Sequence, residues 1–175
     1  MKSLVLGFGN VDREDDGVAW HVLNRLATRL GGTAADLGEM EDSFVSIGGV
    51  DFLFVLQLTP ELGETIAAYD RVCFVDAHTG DVAEELQFIE IPTEFQKSPL
   101  THHMTPQTCL AIARDLYGHQ PKGYLLSVRG YEFGFAQALS ARTEQLANQA
   151  VDLLARWAAE DDLYIHFGDN TPTRQ

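Results

Sequence analysis

The amino-acid sequence predicts a three-layer α/β/α sandwich, with a twisted, mainly parallel sheet between two layers of helices. Three observations carry this. Short apolar runs without alternation recur along the chain, as expected of strands buried on both faces. Longer segments with a single apolar face separate them. Helix-opening signals and glycine stops fall at the boundaries between the two kinds of segment.

Taken in order, residues 2–7 read as a buried strand around Leu4-Val5-Leu6. Val18, Val22, Leu26 and Leu30 then repeat every four residues, with Ala19, Leu23 and Ala27 beside them, and Gly31-Gly32 stops that helix. Residues 33–49 fit either a short edge strand or a loop. Val50 to Leu58 is an apolar run interrupted by Asp51 and Gln57, and reads as a strand. Thr59-Pro60 looks like a helix cap followed by proline at the first helical position, with the helix running to about Tyr69. Val72-Cys73-Phe74-Val75 is a buried strand that ends at Asp76, and Leu86 to Ile91 is another. Thr105-Pro106 repeats the cap-plus-proline signal for a helix to about Tyr117, closed by Gly118. Tyr124 to Val128 reads as a strand. Ser140 is placed to cap the last helix, whose stripe includes Leu146, Ala150, Leu154 and Trp157. One domain over residues 1–159 is expected, followed by an acidic, polar tail over 160–175.

Composition narrows the function. The chain has 175 residues, 45% hydrophobic and 22% charged, a globular balance with room for a sizeable core. Its 26 acids against 12 bases give a net charge of −14, which repels nucleic acid and anionic membranes. No apolar run approaches the ~20 residues of a membrane span, and the first residues do not read as a signal peptide. Cys73 and Cys109 both lie in apolar segments, so buried free thiols in a reducing cytoplasm are expected.

The chemistry concentrates near the start. Gly7-Phe8-Gly9-Asn10 follows the first strand, and Asp15-Asp16-Gly17 leads into the first helix. A dinucleotide site needs a third glycine where Asp12 stands, and the helix start that should attract phosphate carries two carboxylates. Such a pair attracts a cation; alternatively it only complements the helix dipole. In a parallel sheet, ligands bind outside the carboxyl ends of the strands. The loop from Asn10 to Asp16, the residues Gln57 and Thr59, and Asp76 all fall there. A carboxylate at the end of a buried strand is costly unless solvated, paired or metal-bound. Two carboxylates and an imidazole suit a divalent metal. The imidazole candidates are His102 and His103, just ahead of a helix. His78 follows Asp76 closely and ranks behind them as a supporting residue. His-Glu-x-x-His, Gly-x-Ser-x-Gly and phosphate-loop signatures are absent from the sequence.

Together these residues resemble the maturation endopeptidases of nickel–iron hydrogenases. The matching features are Gly7-Phe8-Gly9-Asn10 with Asp15-Asp16-Gly17, the strand-ending Phe74-Val75-Asp76-Ala77, and the Thr101-His102 step before a helix, in that order. The resemblance spans about residues 2 to 157. It implies a phosphorylase/hydrolase-like fold and an aspartyl-type endopeptidase. Such an enzyme removes a C-terminal extension from a nickel-loaded hydrogenase large-subunit precursor. Carried over by position, the catalytic, metal-contacting residues are Asp16, Asp76 and His102. Alignment on the Thr-His step favours His102, while counting back from the helix accepts His103 equally. Asp16 outranks Asp15 because it adjoins the glycine, so Asp15→Asn is expected to leave processing nearly normal. The divalent metal is expected to be the nickel of the substrate, which is compatible with a resting enzyme that holds none. Asn10, Gln57 and Thr59 are the expected substrate-binding residues. Many members carry an Asp-Gly-Gly-Thr-like turn where this chain has Leu56-Gln57-Leu58-Thr59-Pro60, a departure that bears on substrate identity. The competing readings are another metal-dependent amide or peptide hydrolase of the same fold, and a precursor-binding protein that does not cut. A signalling receiver domain needs a lysine where Arg129-Gly130-Tyr131-Glu132-Phe133 has none.

Overall fold

The structure, a computed structural model, describes residues 1–33, 35–36, 43–95 and 103–160. Its strands are β1 (Ser3–Phe8), β2 (Val45–Ile47), β3 (Val50–Val55), β4 (Arg71–His78), β5 (Leu86–Ile91) and β6 (Lys122–Arg129). Its helices are α1 (Val18–Arg29), α2 (Leu62–Ile66), α3 (Pro106–Tyr117) and α4 (Ala141–Ala159). A 3₁₀ turn, Glu14–Gly17, leads into α1. The six strands form one sheet in the order β2-β3-β1-β4-β6-β5. The central four run parallel, and the two edge strands are antiparallel to their neighbours. The segment 33–49, open in the sequence, thus contributes edge strand β2, paired with β3 across the Gly48-Gly49 turn.

Strand alternation sorts the core into two layers. Val5, Phe52, Phe54, Cys73, Val75, Leu126 and Val128 face α1 and α4. Leu4, Leu6, Leu53, Val72 and Phe74 face α2 and α3, meeting Leu62, Ile66, Cys109, Leu110 and Ala113. The two thiols are therefore free, buried and on opposite sides of the sheet. The caps of α3 and α4 form as expected. The Thr105 side chain accepts from the Thr108 N–H, the Ser140 side chain accepts from the Thr143 N–H, and Gly118 closes α3 at φ 72°.

β3 stops at Val55, short of the expected Leu58, and two further elements differ from expectation. Regular helix after β3 begins only at Leu62 and ends at Ile66. Thr59 and Pro60 instead form tight turns, their carbonyls accepting from the Leu62 and Gly63 N–H groups. The helix stops early because the chain must re-enter the sheet beside β1: the Asp70 and Arg71 N–H groups donate to the Lys2 carbonyl. The Tyr69 hydroxyl, meanwhile, donates to Asp51 across 2.8 Å. The last difference is that β4 does not end at Asp76. It runs on to His78 because β6 stays paired with it, whereas pairing with β1 ends at Val75. Residues 161–175 of the expected tail lie outside the described residues. Glu160, at its start, accepts through its carbonyl from Arg71 across 2.6 Å.

Candidate functional site

The chain after β1 turns to the face of α1, and the chain after its neighbour β3 leads to α2 on the opposite face. A crevice opens at such a switch point, beyond the carboxyl ends of the strands. Here it is a cleft of about 780 Å³. Asn10, Arg13 and Asp16 enter it from the β1 side, Gln57 and Thr59 from the β3 side, and Asp76 from β4. His103, Met104, Thr105 and Pro106, at the start of α3, complete the wall.

Asp16 is set by local geometry. Gly9, at φ 141°, lets the chain fold back so closely that a Cβ there would stand 2.2 Å from the Asp16 carbonyl oxygen. The Asn10 N–H then donates to Asp16 Oδ2 at 2.9 Å, and Asn10 Oδ1 accepts from the Asp12 N–H at 2.9 Å. Asn10 thereby both shapes the turn and orients the carboxylate.

Asp76 is half-buried on β4, with Oδ1 accepting from the Ala77 N–H at 2.8 Å. Burial pushes its pKa up to about 7; the Ala77 bond opposes this, and the Asp16 and Asp81 carboxylates add to it. The two acids of the cleft, 60 positions apart in sequence, therefore feel each other's charge.

Asp15 has a different environment. It is wholly buried. Its carboxylate accepts from the N–H groups of Tyr131 (2.8 Å), Glu132 (3.0 Å) and Ser140 (2.7 Å), and from the hydroxyls of Ser140 (2.7 Å) and Thr143 (2.9 Å). Burial raises its pKa, but these hydrogen bonds together outweigh burial and hold it below the ordinary carboxylate range. Asp15 is a structural clasp, so Asp15→Asn changes buried hydrogen bonds as well as charge.

His103 is exposed on the cleft wall. His102 lies outside the described residues. His78 is buried on β4 and does not line the cleft; its Nδ1 accepts from the Gly80 N–H at 3.2 Å. Arg13, which the sequence reading passed over, is the one arginine or lysine among the described cleft residues. A charged residue in a loop carries no periodicity that would have marked it. Among the described residues, no group of three or more His, Cys, Asp and Glu side chains stands ready to hold a metal ion. The described donors toward a metal are the oxygens of Asp16 and Asp76 and the imidazole of His103.

The fold is shared with solved structures of hydrogenase maturation endopeptidases. A [NiFe] hydrogenase maturation protease, HycI, from Thermococcus kodakarensis KOD1 superposes with a TM-score of 0.61 at 21% identity, covering 91% of this chain and 93% of its own. The hydrogenase maturating endopeptidase HybD from E. coli gives a TM-score of 0.65 at 17% identity, with the same coverage of 91% and 93%. A hydrogenase 2 maturation peptidase from Thaumarchaeota archaeon SCGC_AB-539-E09 gives 0.60 at 20% identity, covering 91% and 99%. No protein-family model and no curated protein matches the chain. The likeness is one of fold, spread over nearly the whole length of each chain. No helix among the described residues is long and apolar enough to cross a membrane.

Proposed function

We propose that the protein is an endopeptidase that removes a C-terminal extension from a nickel-loaded hydrogenase large-subunit precursor. The observation that carries this is the meeting of Asp16 and Asp76, from separate parts of the chain, in one cleft that His103 also lines. Three further features support it: the fold shared with maturation endopeptidases, the motif order, and a cleft of about 780 Å³ at the carboxyl ends of the strands.

In this reading the nickel belongs to the substrate. Asp16, Asp76 and a histidine of the 102–103 pair supply the oxygen and nitrogen donors that recognise it. The ion polarises the scissile carbonyl or activates water. Asp76, with its pKa of about 7, is partly protonated near neutral pH and gives up that proton when a cation arrives. Asn10 keeps Asp16 aimed into the cleft. Gln57 and Thr59 contact the peptide along the uncharged wall that Leu56 and Pro60 share with them. Burial of both free thiols suits a reducing cytoplasm.

The test is to incubate the protein with nickel-loaded and nickel-free precursor and read the products by mass spectrometry. One shortened product is expected from the loaded form alone. Equal cutting of both forms removes the nickel-sensing role. Asp16→Asn keeps the shape of the turn but removes the charge, so processing is expected to collapse; full activity in that variant overturns the site assignment.

A further inference from the structure

Every residue from Asp12 to Asp16 except Arg13 is an acid, yet of these acids only Asp16 lines the cleft. The other three hold the connection between β6 and α4. Asp12 Oδ1 accepts from Gln137 Nε2 at 2.8 Å. Glu14 clasps in both directions: its side chain accepts from the Gly134 N–H at 2.8 Å, and its own N–H donates to the Ala136 carbonyl at 2.6 Å. To do this Glu14 adopts φ 48°, a left-handed conformation that a residue with a side chain seldom takes. Asp15 gathers the five donors already described.

The segment so held is peculiar in composition. Residues 133–141, Phe-Gly-Phe-Ala-Gln-Ala-Leu-Ser-Ala, contain no charge in a chain of net charge −14. Gly134 to Ala138 are all exposed, and Phe135 is 94% exposed. A lone exposed apolar side chain is ordinary. Here, though, an aromatic residue is presented on irregular backbone that is strapped at both ends, as a preorganised contact would be. The exposed carboxylates of Asp12 and Glu132 lie on residues bonded to it or next to it. The straps come from the turn that also lines the cleft, so loop and cleft form one continuous surface.

We infer that the loop from Phe133 to Leu139 is a docking surface for the folded body of the protein whose terminal segment enters the cleft. The matching patch on that partner is apolar and bordered by lysine or arginine, which the acidic rim attracts and the uncharged loop leaves room for. This inference rests on the function proposed above. It adds that recognition is divided, with Phe135 reading the folded partner and the cleft reading the tail.

The experiment compares wild type, Phe135→Ser and Leu116→Ser on full-length, nickel-loaded large-subunit precursor. Leu116 is 73% exposed near the C-terminal end of α3, the end opposite the cleft, and controls for loss of an exposed apolar group. Phe135→Ser is expected to raise KM about tenfold or more and to leave kcat within about twofold. A peptide of the precursor's C-terminal segment, bounded by the cut that wild type makes, is expected to inhibit both proteins equally. Leu116→Ser is expected to match wild type, and all three to melt together. An unchanged KM in Phe135→Ser, with wild type cutting normally, overturns the docking surface alone. Equal weakening of the peptide also overturns it, because the loop then acts on the cleft. A wild-type dimer that Phe135→Ser splits in sedimentation assigns the loop to self-association and likewise overturns it. Wild type that neither binds nor cuts the precursor overturns the proposed function and the docking surface together.

Discussion

Two aspartates, Asp15 in its clasp and Asp76 in the cleft, sit in opposite surroundings, and their titration behaviour separates them. The Asp15 carboxylate is surrounded by five donors and no acceptor needs its proton. Asp15→Asn turns an amide NH₂ toward some of those donors, leaving buried groups unpaired. We expect a loss of about 2–3 kcal/mol in urea unfolding at pH 7. Because the folded pKa lies below the ordinary value of 3.8, the stabilisation by Asp15 is present above that value and is lost as pH falls through the folded pKa. The gap between wild type and Asp15→Asn should therefore narrow in strongly acidic solution. For Asp76 the sign is reversed. Its folded pKa of about 7 lies above the ordinary 3.8, so between those values the folded state holds a proton that the unfolded state releases. Stability then falls as pH rises through that window. Asp76→Asn, which is never charged, should melt higher than wild type at pH 8 and alongside it near pH 4, while processing is lost. A variant that melts with wild type at every pH contradicts the raised pKa.

Each helix that borders the cleft has a start that can be tested. Thr105 Oγ1 accepts from the Thr108 N–H at 3.2 Å and donates to Thr108 Oγ1 at 2.9 Å, beside the wall that His103 and Met104 form. Thr105→Ala should cost about 1 kcal/mol, with Thr105→Ser restoring most of it, measured by urea unfolding. This start was legible in the sequence because a cap is a contact between residues three apart. The same pair of residue types at Thr59-Pro60 gave a different outcome. There the return of the chain to β1 and the Tyr69–Asp51 hydrogen bond limit the helix to Leu62–Ile66. β4 shows the same influence from outside the segment: polarity at Asp76 suggests an end, but β6 carries the pairing on to His78.

Across the whole molecule, the sheet separates its two thiols. Cys73, on β4, faces α1 and α4, whereas Cys109, on α3, packs against the other face of the sheet, and burial raises both pKa values, that of Cys109 to about 12. No disulfide can join them without taking the sheet apart. A thiol reagent at pH 8 should label neither cysteine in the folded protein and both in urea, with no faster rate for one than the other. Rapid labelling of either thiol under native conditions would show that its layer opens locally.

What the sequence determined by itself is most of the elements, their alternation and the acids Asp16 and Asp76 of the cleft. Apolar runs, helical stripes and caps are short-range patterns, and the carboxyl ends of parallel strands are where polar residues collect. The sequence ranked Asp16 above Asp15 only through its adjacent glycine; tertiary structure supplied the physical reason that Asp16 lines the cleft and Asp15 does not. The two are chemically identical and one peptide bond apart, so no local rule distinguishes them beyond the adjacent glycine. Asp15 is drawn inward by Tyr131, which lies 116 residues further along the chain, and by Ser140 and Thr143 beyond it. Those donors reach it only because β6 emerges beside β4 and the connection to α4 passes back over the acidic turn.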